Sequence, residues 1–276
     1  MMTLYPNAKI NIGLFVTSKR SDGYHNLESV FLPVSLCDIL EIEEINGNVG
    51  DCYFEQNGII IDCPMEENIV VKAYQLLSFH YKLPSVSISL QKRMPTGAGL
   101  GGGSSDAAFC LKALNEYFHL KITENQLMRF AASLGSDCMF FIKNTPAFVS
   151  SRGDNIKPID FQLLGYKICI LKPPFGVSTK EAYSKIVPKS ASFNLNNLSK
   201  LTMSKWREII FNDFEERVFV KYPEINELKR YLYSIGAIYA SMSGSGSAVY
   251  GIFEKYPDVQ ENNLPPDTFY SICEFI

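Results

Sequence analysis

The chain has one tryptophan and three histidines in 276 residues, and its seven cysteines are odd in number and scattered. No C-x-x-C pair occurs among Cys37, Cys52, Cys63, Cys110, Cys138, Cys169 and Cys273. A zinc centre or a disulfide framework is therefore not expected, and no two histidines stand close enough for a sequence-local metal site. No apolar run approaches the ~20 residues of a membrane helix. The N-terminal residues lack a basic stretch followed by an apolar one, so no signal peptide is expected. These features point to the cytoplasm and to free thiols. Neither sign of charge is in large excess, the formal net charge being -3. Nucleic acid and anionic membrane are thus not expected as partners. No internal repeat or low-complexity tract is apparent. Hydrophobic residues at 46% and charged residues at 20% describe an ordinary folded chain, long enough for one large or two modest domains.

What is abundant is concentrated in one place. Residues 95–106 read Pro95-Thr96-Gly97-Ala98-Gly99-Leu100-Gly101-Gly102-Gly103-Ser104-Ser105-Asp106, with five of the chain's 18 glycines inside seven positions. Glycine costs about 0.5–1 kcal/mol relative to alanine in regular structure, but it lets the backbone approach a ligand closely. Upstream, Val86, Ile88 and Leu90 alternate as in a half-buried strand. Downstream, Ala107, Leu111, Leu114 and Phe118 predict an amphipathic helix over 107–119. Strand, glycine loop and helix make an anion cradle, because the first amides of a helix lack internal partners and carry the positive end of its dipole. The loop is not a P-loop, since no lysine follows Gly102 and Gly103. The dinucleotide fingerprint can be laid over Gly97, Gly99 and Gly102, but the acidic residue required about 20 positions later at a strand end is missing. A flexible linker would not be bracketed by a strand and a helix.

Four further places carry candidates. Residues 8–16 alternate as a strand whose second face presents Lys9 and Asn11. The turn Arg20-Ser21-Asp22-Gly23-Tyr24-His25 either covers the core or faces a ligand, where Tyr24 could stack on a planar base and His25 bond in its plane. Asp137, between Gly135-Ser136 and the apolar run 138–142, is either a turn or N-cap aspartate or a carboxylate held in a cleft. Finally, Ser243-Gly244-Ser245-Gly246-Ser247 is a second Gly/Ser loop feeding a strand.

Elsewhere, a strand is predicted over 39–43 and a hairpin through Gln56-Asn57-Gly58-Ile59, pairing 52–56 with 59–61. Helices are predicted over 67–80 and 123–134, the latter opened by a Thr123/Gln126 capping box, then near Lys180 and over 224–234. Strand 166–171 begins the second half, and 189–204 reads as irregular. The polar stretch 148–158 is the candidate boundary, giving domains 1–155 and 156–276.

In order and spacing, Lys9, the loop 95–105 and the loop 243–247 resemble the three motifs of the GHMP kinase superfamily of small-molecule kinases. The D-G-Y-H element at 22–25 and Gly135-Ser136-Asp137 bring the chain closest to those members that phosphorylate a cytidine-diphosphate-linked alcohol in non-mevalonate isoprenoid (terpenoid) biosynthesis. The resemblance implies an α/β (α+β) fold of two domains, with ATP and substrate in an interdomain cleft. It implies Asp137 as catalytic base with Lys9 as its cationic neighbour. The ATP phosphates would be held by Pro95, Thr96, Gly97, Ala98, Gly99, Leu100, Gly101, Gly102, Gly103, Ser104 and Ser105. Mg²⁺ would travel with ATP, touched by Ser104 or Ser105, without a dedicated protein cage. Asn11 would line the substrate side, Tyr24 and Tyr183 would stack on cytosine, and His25 would bond its edge. A monomer or homodimer is expected. The chain departs from the family by having Cys138-Met139 after Asp137, where a Val-Pro continuation and local strand geometry are usual, and in the segment 172–175. The rival expectations are a homoserine- or mevalonate-type kinase, which would have little use for Tyr24 and His25, and a non-catalytic ligand sensor, which would not need Lys9 and Asp137.

Overall fold

The fold was analysed in a computed structural model that describes residues 1–61, 63–184 and 186–276. Its elements run β1 (Met2–Leu4), β2 (Asn7–Lys19), β3 (His25–Cys37), β4 (Ile39–Glu44), β5 (Cys52–Gly58), α1 (Ile69–Tyr81) and β6 (Val86–Lys92). Then come α2 (Gly102–Tyr117), α3 (Glu124–Leu134), α4 (Cys138–Lys143), β7 (Ala147–Ser151), β8 (Asn155–Pro158), β9 (Lys167–Lys172) and α5 (Thr179–Tyr183). After short 3-10 turns in the 195–205 stretch follow α6 (Trp206–Ile209), α7 (Glu215–Lys221), α8 (Pro223–Ser234), β10 (Tyr239–Met242), β11 (Val249–Phe253) and β12 (Phe269–Glu274).

Two compact units divide these elements. The first comprises Met1–Ala8, Cys37–Thr96 and Gly101–Thr145, the second Lys9–Leu36, Gly97–Leu100 and Pro146–Ile276. The units therefore interleave along the chain, and a division after residue 155 falls inside β8 of the second unit.

In the first unit the sheet order is β1-β4-β6-β5. Val86, Ile88 and Leu90 alternate inward on β6, and they are fully buried, as are Tyr74 and Leu77 of α1 and Leu111 and Leu114 of α2. At about 25 cal/mol per Å² of apolar surface, each such side chain contributes about 1.5–3 kcal/mol. Asn68 caps α1 by accepting from Val70 N at 2.9 Å, and the Thr123/Gln126 capping box opens α3 as predicted.

Three local expectations are corrected here. Residues 52–56 do not turn back on 59–61; β5 runs parallel to β6, from Cys52 opposite Val86 to Gly58 opposite Lys92, and α1 lies in the connection that parallel strands require. Gly58, at φ +81°, is a point of close approach, since a Cβ there would lie 2.2 Å from the Lys92 carbonyl oxygen. Helix α2 starts at Gly102, five residues before the predicted start, because Gly101 at φ 73° turns the chain into it and Ser105 N donates to Gly101 O at 2.9 Å. The apolar run after Asp137 is the short helix α4, closed by Asn144 in the left-handed conformation, and not a strand.

The second unit holds two sheets, β2-β3-β7-β8 and β10-β11-β9-β12. The stretch 148–158, the candidate boundary, is mostly the antiparallel hairpin β7–β8, with its turn at 152–154. Helix α8 sends Ile225, Leu228 and Leu232 into a core with Leu171, Val249, Met242 and Phe214, which is why the 3.6-residue period over 224–234 was readable.

Candidate functional site

In the second unit, β2 is buried on both faces, so Lys9 and Asn11 on its polar side are nearly sealed at 2% exposure each. A buried ammonium must be bonded. Lys9 Nζ donates to Asn11 Oδ1 at 2.7 Å and to the Gly99 carbonyl at 3.0 Å, and it sits 4.5 Å from the centre of the Phe31 ring. Asn11 in turn donates through Nδ2 to Ser29 Oγ at 2.9 Å, and its own carbonyl accepts from Tyr250 OH at 2.6 Å.

The two Gly/Ser loops meet within this unit. Ser243 Oγ donates to Gly99 O at 2.8 Å, Ser247 N to Gly97 O and Ala248 N to Ala98 O, both at 3.2 Å. A Cβ on Gly99 would lie 1.9 Å from the Ser243 carbonyl oxygen, so only glycine allows this approach. Asn212, just before α7, anchors the second loop from below: Nδ2 donates to the carbonyls of Met242 and Gly244, each at 2.8 Å. Sequence reasoning missed Asn212, Ser29 and Tyr250. The polar pair Asn212-Asp213 between Phe211 and Phe214 was the available signal for the first of these.

The expected base-recognition residues also lie in this unit. His25 and Tyr183 stack, with ring centroids 5.2 Å apart and planes at 22°. Tyr183 is edge-on to Phe214 at 4.7 Å, which seats it at the end of α5. Burial, and then the charge of Lys19, hold His25 below the usual imidazole value. Tyr24 is turned outward at 60% exposure, with the Arg152 guanidinium 5.4 Å from its ring centre.

The first unit carries Pro95, Thr96, residues 101–105 and Asp137. Asp137 directly precedes α4 but its carboxylate does not cap that helix, so the N-cap reading is set aside. Lys9 and Asp137 belong to different units. Ser104 lies beside Cys138: a Cβ on Gly135 would meet Cys138 Sγ at 3.3 Å and Ser104 Oγ at 3.8 Å. Burial pushes the Cys138 thiol up to about 11, so it is a neutral neighbour. Ser105 Oγ is buried without a hydrogen-bond partner, an orphan that a phosphate or its cation would satisfy. Within the same unit Thr96 and Gly103 are exposed, and with Ser105 at the start of α2 these residues are of a kind that fits a nucleotide phosphate. Among the described residues no cluster of three His, Cys, Asp or Glu side chains could cage a metal, and no helix is long and apolar enough to cross a membrane.

Behind α2 is a charge cluster the sequence did not suggest. Lys92 Nζ is clamped between the carboxylates of Asp38 and Asp106, all three at most 2% exposed. Burial pulls the Lys92 ammonium down, but the two carboxylates outweigh it and hold it above the usual lysine value. For Asp106 burial wins over Lys92, raising the carboxyl to about 8.

Comparison with known proteins gives this arrangement a family. Residues 68–145 match the GHMP kinases N terminal domain and residues 192–262 the GHMP kinases C terminal domain. The chain is 50% identical over 252 residues to a Bacteroides fragilis 4-diphosphocytidyl-2-C-methyl-D-erythritol kinase, covering 91% of this chain and 92% of that one. It is 49% identical over 268 residues to the kinase of that name from Bacteroides thetaiotaomicron, covering 97% and 98%. A crystal structure of 4-(cytidine 5'-diphospho)-2C-methyl-D-erythritol kinase superimposes with a TM-score of 0.78 at 28% identity, covering 99% of each chain. The chain accordingly belongs to the 4-diphosphocytidyl-2-C-methyl-D-erythritol kinase family of GHMP small-molecule kinases.

Proposed function

We propose that the protein transfers the γ-phosphoryl group of ATP to the 2-hydroxyl of 4-diphosphocytidyl-2-C-methyl-D-erythritol, giving the 2-phosphate and ADP, in non-mevalonate isoprenoid precursor biosynthesis. The observation that carries this reading is similarity across 97% of the chain to a kinase named for that substrate. The stacked His25–Tyr183 pair supports it, because a planar, hydrogen-bonding surface suits a pyrimidine, whereas homoserine and mevalonate offer no base to stack.

In this reading Asp137 takes the proton of the attacking hydroxyl. Lys9, fixed by Asn11 and Gly99, presents a positive charge to the oxygens that gain negative charge during transfer. The free amides at the start of α2, with Ser104 and Ser105, hold phosphate oxygens. Mg²⁺ travelling with ATP would offset the charge on those oxygens. Tyr24, His25 and Tyr183 recognise cytosine, base stacking contributing about 1–3 kcal/mol.

The test is ADP release with Mg-ATP, with and without 4-diphosphocytidyl-2-C-methyl-D-erythritol, for the parent chain and Asp137→Asn. Release that needs the substrate and falls by at least about 10²-fold on substitution is expected, the usual scale of general-base catalysis. Release driven by homoserine or mevalonate would overturn the substrate assignment. ATP binding without release would favour a ligand sensor.

A further inference from the structure

The Asp38–Lys92–Asp106 cluster is not accounted for by stability alone. Asp38 Oδ1 accepts from the amides of Arg93 and Met94 at 2.6 and 2.8 Å, while Oδ2 takes Lys92 Nζ. Lys92 Nζ also donates to Asp106 Oδ2 at 2.8 Å. The other oxygen, Asp106 Oδ1, is buried with no hydrogen-bond partner. Two carboxyl groups and one ammonium in a sealed site are costly, and apolar replacements of such groups are often neutral or stabilising. An orphaned carboxyl oxygen adds to that cost.

What the cluster does achieve is geometric. Asp38 pins the backbone of 93–94, immediately before Pro95 and Thr96. Asp106 sits in the first turns of α2, after the glycines. Gly102 lies over the ammonium, where a Cβ would come within 3.3 Å of Lys92 Nζ. One buried cation thus ties the stretch entering the glycine run to the helix leaving it.

We propose that Lys92 and Asp106, with Asp38, are positioning residues for nucleotide binding: they set the first turn of α2 against residues 93–95, and so aim the unpaired amides of Gly102, Gly103 and Ser104. This rests on the reading of that helix start as the ATP phosphate site. None of the three need touch the nucleotide. They act through the backbone they hold, and the acceptor on residue 106 is the feature that matters.

Direct Mg-ATP titration by calorimetry, without the alcohol substrate, tests the assignment on parent, Asp106→Asn and Asp106→Leu chains. Asp106→Asn keeps an acceptor for Lys92 and is expected to bind within twofold of the parent. Asp106→Leu removes it and is expected to weaken binding about tenfold, the scale of one charge-assisted hydrogen bond. Leu binding as tightly as the parent, or Asn as weakly as Leu, overturns the proposal. If Asp106→Leu does not fold, Asp38→Asn/Lys92→Met/Asp106→Leu removes all three charges, while the asparagine keeps an acceptor for the amides of Arg93 and Met94. Recovery of the urea midpoint with binding still tenfold weaker supports positioning; recovery of both overturns it. A parent chain that fails to bind Mg-ATP would instead sink the phosphate-site reading itself, and this proposal with it.

Discussion

Gly99→Ala is a sharp test of how the two Gly/Ser loops are held together. The residue sits at φ +73°, where an alanine pays about 1–2 kcal/mol for the left-handed conformation. Its new Cβ would lie 1.9 Å from Ser243 O and 2.8 Å from Ser243 C, both backbone atoms that cannot swing aside. The loops must therefore part. Parting them removes the Ser243 hydroxyl bond to Gly99 O, about 1 kcal/mol, and the Lys9 ammonium bond to the same oxygen, about 1.5–3 kcal/mol. The expected loss is about 3.5–6 kcal/mol, a large part of the 5–15 kcal/mol typical of a folded chain. The control is Gly103→Ala, four residues along in the same motif. Gly103 is helical, and its Cβ would meet nothing closer than Ile69 Cγ2 at 3.7 Å. Alanine there should gain up to about 1 kcal/mol. Urea unfolding followed by far-UV circular dichroism reads both. A Gly99→Ala midpoint equal to that of the parent, or a Gly103→Ala midpoint lowered as far, would refute the reasoning.

Two further outcomes follow from the same unit. Asn212→Ala removes the donor to Met242 O and Gly244 O and the acceptor for Phe214 N. It should cost about 2–4 kcal/mol in urea unfolding, and Asn212→Asp should not restore it, because a carboxylate oxygen would face two carbonyls. For His25, whose folded pKa is depressed, the contribution to stability is full above the unfolded value of about 6.5 and is lost as pH falls through the lower folded value. An NMR titration of its ring should therefore give a midpoint below 6.5, raised by Lys19→Ala; a midpoint at or above 6.5 in the parent would contradict the burial argument.

Much of this architecture was legible in the residues because period and burial coincide. The alternation at 86–90 and the helical stripe at 224–234 each face a single core, so pattern sufficed. It failed where a glycine served approach and not turning: Gly58 looked like the corner of a hairpin and is instead packed on the Lys92 carbonyl. It failed again after Asp137, since a short apolar run suits strand and buried helix equally, and only tertiary contacts decide. Lys9, Asn11 and the two loops could be named from motif, but the oxygen that joins them, Gly99 O, is backbone and leaves no mark in sequence. The Lys92 cluster was hidden for another reason. Its three members are 54 and 14 residues apart in pairs, and nothing local signals that any of them is buried.

The bond from Tyr250 OH to Asn11 O spans 239 residues. On a ribosome adding about 5–20 residues per second, β2 would wait roughly 12–48 seconds after its own synthesis for this partner to be made. During that interval a strand destined to be buried on both faces has no complete home. Until residue 250 is made, β2 is thus a part of the nascent chain that stands to gain from a holding chaperone.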